Sequence, residues 1–169
     1  MAQYVPTITV DDVISALGAF LTPFLGGAQI VRAQGNRVPM PPAPCVVLTE
    51  LLQVDLETPV ITQDPSNTQA LAVTPTRIDV QIDFYGDSAG DQCKAVKGAY
   101  RTEYATLQFA DGIKPLYCSD GVQNPLITGE QQYASRWTLT ASLQYNASVA
   151  LPQQSAITIT PGGPILANP

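Results

Sequence analysis

Between Arg77 and Ala110 a strictly alternating segment stops at Tyr85-Gly86-Asp87-Ser88 and a segment of helical period begins, which calls for a sheet with a helix packed on it. Ile78, Val80, Ile82 and Phe84 fall on one side of an extended chain, and Arg77, Asp79, Gln81 and Asp83 on the other, the pattern of a half-buried antiparallel strand. Gly86 suits the turn. Ser88 is placed to cap a helix with Asp91 three residues on, and Asp87 and Asp91 suit its positive N-terminus. From there Ala89, Cys93, Val96, Tyr100, Tyr104 and Leu107 gather on one face, so one long helix is expected to lie flat on the sheet, with Gly98 turned to solvent.

The remaining elements follow from the same two periods. Thr9 and Asp12 make a capping box ahead of Val13, Ile14, Leu17, Phe20, Leu21 and Phe24, so an amphipathic helix is expected from about Val10 to Leu25, ended by Gly26-Gly27. Ala28 to Ala33 reads as a short strand and Cys45 to Leu56 as a longer one. Between them Pro39, Pro41, Pro42 and Pro44 impose an extended link of polyproline type. Ile113 to Cys118 is a short strand, and Trp137, Leu139, Ala141, Leu143 and Tyr145 alternate with polar residues in a second half-buried one. Residues 57–75 lack helical period and are expected to form a long loop or an arm-like hairpin. The expected architecture is α+β, a mainly antiparallel sheet of about five to six strands packed by two helices. We expect one domain over residues 1–155, with Ala156 to Thr160 as an edge strand and a C-terminal tail to residue 169.

The chemistry the chain lacks narrows its function. There is no histidine, which removes the Ser-His-Asp triad, the Cys-His pair and the commonest metal ligand. Neither standard phosphate-binding glycine loop is present. Asp79 with Asp83, and Asp87 with Asp91, could hold a divalent cation, but a solvated strand face and a helix start account for them without chemistry. Neither an enzyme nor a cofactor or metal site is therefore expected. Cys45, Cys93 and Cys118, three widely spaced thiols, read as buried and free. A net charge of −6 argues against affinity built on phosphate neutralisation. No stretch is long and apolar enough to span a membrane and the start lacks a secretory signal, so synthesis in the cytoplasm is expected. With only 13% charged residues, some surface is expected to be covered by another copy or a neighbour. Lys94, Lys97 and Arg101 form a basic stripe beside the apolar helix face, either a solvated flank or a contact with acidic groups of a neighbouring subunit.

The order helix, strand, proline-rich link, strand, loop, strand, helix, strand, strand resembles that of the bacteriophage neck and tail terminator proteins. The local matches are Ile30 to Arg37 followed by the proline run, Val80 to Ala89, and Tyr133 to Trp137 with the strand after it. Together they span most of residues 10 to 150, whereas Glu57 to Pro75 and the residues after Gln153 match no part of the pattern. The resemblance implies a structural virion protein of the tail or neck. It implies a ring, usually of six copies, that ends the tail tube, meets the tail tube protein and the head-side connector or adaptor, and lets DNA pass through its lumen without specific binding. Arg37, Pro39, Met40, Pro41, Pro42, Lys94, Lys97 and Arg101 are the expected inter-subunit contacts, with the 57–75 arm and the tail. The alternatives are another head-completion or baseplate protein, a monomeric ligand- or peptide-binding domain, and, more distantly, an enzyme with a carboxylate-bound metal.

Overall fold

Two strands of seventeen residues each, β4 (Gln69–Tyr85) and β9 (Arg136–Pro152), run antiparallel along their whole length without a register shift, and the sheet is built outward from them. The computed structural model describes residues 4–33, 40–63, 69–124, 126–127 and 133–152. β1 (Gln29–Arg32) pairs in parallel with β2 (Cys45–Asp55), and β2 pairs antiparallel with β4. β3 (Val60–Gln63) pairs with β4 farther along the same edge. On the other side β9 takes β5 (Ile113–Cys118) and β6 (Val122–Gln123). β7 (Leu126–Ile127) and β8 (Tyr133–Ala134) form a separate pair. The fold is thus α+β, with a seven-stranded, mostly antiparallel open sheet. That is one strand more than the upper expectation, because β3 and β6 are too short to show a period.

The helices are α1 (Val10–Leu21), α2 (Ala89–Tyr100) and α3 (Glu103–Gln108), with a 3-10 turn at Thr22–Phe24 completing the first. Val13, Leu17 and Leu21 of α1 and Cys93, Val96 and Tyr100 of α2 bury against Ile78, Val80, Ile82 and Phe84 of β4 and Leu139, Ala141 and Leu143 of β9. These are the residues that alternation placed on one face. Tyr100 donates its phenol to the Ser142 carbonyl at 2.9 Å, so the largest polar group in the layer is satisfied. Burial raises its pKa well above the ordinary tyrosine range. Gly86 carries the chain from β4 into α2 at φ +117, a backbone state that side-chain-bearing residues rarely adopt.

The long second helix is two helices. At Thr102 the backbone is extended, and its hydroxyl donates to the Ala99 carbonyl at 2.7 Å, a local bond that competes with helix continuation. Arg101 turns away to donate to the Cys118 carbonyl at 3.0 Å. The restart rotates the buried face: Ala105 is fully buried, while Leu107, expected in the stripe, is 74% exposed. Tyr104 stays half-exposed at the border of an aromatic cluster with Phe20 and Phe24. Ser88 occupies the N-cap position of α2 but makes no side-chain cap bond, contrary to expectation.

The capping box of α1 forms as read. The Thr9 amide donates to the Asp12 carboxylate at 2.8 Å and the Asp12 amide to the Thr9 hydroxyl at 3.2 Å. Hydrogen bonding from the Thr9 side chain and then its backbone holds the Asp12 carboxyl below its usual pKa. Thr9→Ala is expected to lower stability by about 1 kcal/mol near neutral pH. A depressed folded-state pKa contributes stability above the ordinary aspartate value of about 3.9. The penalty should therefore shrink as pH falls through the Asp12 titration, and denaturant midpoints of both proteins against pH check it.

Candidate interaction surfaces

The sheet face away from the helices carries Arg77, Asp79, Gln81 and Asp83 of β4 beside Thr138, Thr140, Ser142 and Gln144 of β9. Sequence alternation makes this a solvated face, but Asp83 is only 3% exposed and its carboxylate is saturated. Arg136 donates Nε to Oδ1 at 3.2 Å and Nη2 to Oδ2 at 2.9 Å, Thr138 donates its hydroxyl to Oδ1 at 2.6 Å, and Gln81 its amide to Oδ2 at 2.7 Å. The hydrogen bond to Asp83 raises the Arg136 pKa further, and its guanidinium carbon sits 5.8 Å from the Tyr85 ring centroid. Asp79 accepts from the Ser142 hydroxyl at 2.6 Å with Arg77 Nε 3.4 Å from the same oxygen. The pair that could have held a cation is committed to internal donors. Among the described residues no group of three or more His, Cys, Asp or Glu side chains is placed to hold a metal ion.

Beyond this network the sheet continues as a ribbon of β3, the first half of β4 and the last half of β9. Register places Ile61, Ala72 and Val149 in one row on the helix side, and Val60, Val73 and Ser148 in a row on the other. Leu71 and Thr62 continue the second row, while Ala70 and Leu151 continue the first. Both faces are therefore largely apolar, and Val60, Ile61, Leu71 and Leu151 are all exposed. Leu51, Leu52, Val54 and Leu56 at the end of β2 add to the same exposed surface. Where residues 57–75, expected as a long loop or an arm-like hairpin, are described, Val60–Gln63 and the chain from Gln69 pair with each other, and β9 adds a third strand to this arm. Its base is fixed by the Leu56 amide donating to the Pro75 carbonyl at 2.8 Å, and by Thr7 and Ser148, whose backbones bond at 2.9 Å.

A second exposed surface lies along β5. Lys97 pairs with Asp120, Arg101 bonds the end of β5, and Lys114 donates to the Phe109 carbonyl at 3.4 Å, so two residues of the basic stripe, Lys97 and Arg101, reach this edge. Leu107 and Tyr104 are exposed on the helix side of this edge, Leu116 at the register shift of β5, and Tyr117, opposite Ser142, on the other face of the sheet. Lys94 and Lys97 rim a cleft floored by Trp137, where Gly121 approaches Cys93 so closely that an added Cβ would lie 2.6 Å from Sγ. The three cysteines are free and buried, and burial pushes the Cys45 and Cys93 thiols up, which suits packing rather than nucleophilic chemistry.

Of the expected contact residues, Lys97 and Arg101 reach the end of β5, through Asp120 and the Cys118 carbonyl, while Lys94 rims the Trp137 cleft; Lys94 and Arg101 are exposed. Met40 and Pro42 are exposed and Pro41 half-buried, its carbonyl accepting from the Cys45 thiol at 3.6 Å. The Ala43–Pro44 bond of this link is cis. Arg37 and Pro39, like the edge strand expected at Ala156 to Thr160, lie outside the described residues. Leu107 was expected in the buried helical stripe, and Leu116 and Tyr117 were placed only in a short strand with no face assigned to them. The β-branched run Val60-Ile61-Thr62 was the only signal for β3.

A search of curated proteins finds none that matches this chain. A family model described as phage neck terminator protein matches residues 11–166.

Proposed function

We propose a ring-forming role at the end of the tail for this chain, which belongs to the phage neck terminator family. Membership makes it a structural protein of the virion's tail or neck. Beyond that, the proposed job is to close the tail tube as a ring of about six copies, to meet the head-side connector or adaptor on its other face, and to leave a lumen for DNA. The observation that carries this is the apolar ribbon of β3, β4 and β9, exposed on both faces at residues such as Ile61 and Leu71. A lone soluble chain gains nothing from such a surface, whereas a subunit that slots between neighbours buries it. Head-to-tail contacts between unlike patches close into rings when the rotation permits. The net charge of −6 suits a channel through which DNA slides without being held. The link from Pro39 to Pro44 and the residues after Gln153 are proposed as further contacts to neighbouring copies or rings.

Light scattering on the purified protein, alone and mixed with isolated tails, followed by negative-stain imaging, tests the proposal. Particles of about six subunits with a central opening are expected. A monomer that neither assembles nor caps tails would sink the ring and return the chain to another head-completion or baseplate part, or to a monomeric binding domain.

A further inference from the structure

β3 is a sheet edge without the usual defences. Among the described residues it pairs only with β4, its four residues are all exposed, and Val60-Ile61-Thr62-Gln63 holds neither a charge nor a proline. The other long edges are blunted. β5 carries Pro115 and a register shift before Tyr117, β2 past Leu48 carries a shift between Glu50 and Leu52 with the charges of Glu50 and Asp55, and β1 ends on Arg32, which is paired with Asp11 and Glu50. The unbonded groups of β3 follow from the ladder. The Leu56 amide donates to the Pro75 carbonyl, so at two-residue steps Pro75, Val73 and Leu71 turn their backbone groups to this side, where Val73 and Leu71 face Val60 and Thr62. Ile61 and Gln63 therefore turn two amides and two carbonyls away from the sheet.

The chain itself carries a segment of matching kind. Ala156-Ile157-Thr158-Ile159-Thr160, outside the described residues, is a charge-free alternation of β-branched residues that Pro161 ends. Its own copy offers it two poor places. A hairpin back onto β9 meets an occupied edge, since the Asn146 amide donates to the Gly112 carbonyl at 2.9 Å, the Thr7 amide to the Ser148 carbonyl at 2.9 Å, and the Ser148 amide to the Thr7 hydroxyl at 3.0 Å. Only Ala150 and Pro152 are left facing outward there, and proline has no amide to give. The outer side of its own β3 lies three strand spacings from β9, roughly 14 Å. Five residue steps from Pro152 to Ile157 span at most roughly 17 Å, and the chain has also to reverse direction and pass the 64–68 connection.

We propose that Ala156 to Thr160 of one copy adds as an antiparallel strand to the free edge of β3 in the next copy. This rests on the ring reading and supplies its join: each copy gives one strand and receives one on a different edge, so the contact passes from copy to copy and closes where the rotation allows. Backbone bonds to Ile61 and Gln63 supply affinity, and the side chains set the register. With Thr158 beside Thr62, Ile159 meets Ile61 on the helix side, Thr160 meets Val60 on the other face, and Pro161 stops the ladder level with Pro59. Neither strand carries a charge, so the join does not weaken with salt as an ion pair would.

Thr62→Cys and Thr158→Cys, co-expressed as full-length chains and oxidised alone and on isolated tails, test it. Disulfide-linked dimers are expected at least tenfold more abundantly than from either variant by itself. Ile61→Pro removes one outward amide and no bond to β4, so it should cut this cross-link and the ring yield at least tenfold, with the thermal transition moving by no more than a few degrees. Ile159→Pro, in the added strand, should do the same. A disulfide within one chain that carries both cysteines would return the strand to its own copy and overturn the pairing. Ring-sized particles without the mixed cross-link would overturn it and leave the ring in place. The mixed cross-link in particles that never close would keep the pairing and sink the ring. Absence of both, alone and on tails, would remove the two together.

Discussion

Arg136→Ala is expected to destabilise the protein by about 3 kcal/mol, at the low end of the roughly 3–5 kcal/mol seen when one partner of a buried pair is removed. The low end applies because the Arg136 side chain is 27% exposed while that of Asp83 is 4% exposed, so the arginine keeps some water and the carboxylate has none to fall back on. Thr138 and Gln81 would still donate to Asp83 but leave its charge uncompensated between β4 and β9. For a chain of this size the loss should appear as a fall of roughly 10 °C in melting temperature. Arg136→Lys keeps the charge but not the two-pronged geometry and should fall between the two. A loss below about 1 kcal/mol for Arg136→Ala would place this contact with ordinary surface ion pairs.

Ile61→Asp combined with Leu71→Asp is expected to abolish assembly while leaving the subunit folded. The pair puts one charge on each face of the arm, since Ile61 lies opposite Ala72 and Leu71 opposite Thr62. Desolvating an unpaired carboxylate at each contact removes several kcal/mol of association. Both side chains are exposed in the single chain, so the isolated fold loses little. Light scattering should show a shift from ring to monomer mass, with the thermal transition moving by no more than a few degrees. Unchanged rings would release the arm from any role in assembly, and an unfolded monomer would show that the ribbon belongs to the stability core. Point substitution is the sharper tool here, because removing residues 57–75 would strip β9 of its partners from Asn146 to Pro152.

The core was legible before any coordinates. Ile78, Val80, Ile82 and Phe84, with Leu139, Ala141 and Leu143, stand where period-two alternation puts them, and the Thr9 to Asp12 box starts α1 as read. Local patterns of this kind survive folding because each is decided by neighbours within one strand or one turn. The arm was visible only as a gap in pattern, since β3 is four residues long and β4 is read as polar and loop-like before Arg77. Leu107 misled for a related reason: a stripe assumes an unbroken helix, and Thr102 breaks it.

The sequence by itself determined the α+β order, the buried face of the sheet and the resemblance to terminator proteins. All three rest on the spacing of apolar residues, which the backbone geometry of strand and helix turns directly into a face. Only the tertiary structure decided that Asp83 is buried and saturated rather than solvated, because its donors Arg136 and Thr138 come from a strand more than fifty positions away. It alone decided that the arm takes β9 as a third strand, and that Lys97 and Arg101 lie at the end of β5. Register between distant strands sets which unlike side chains meet, and no local period in a chain encodes that meeting.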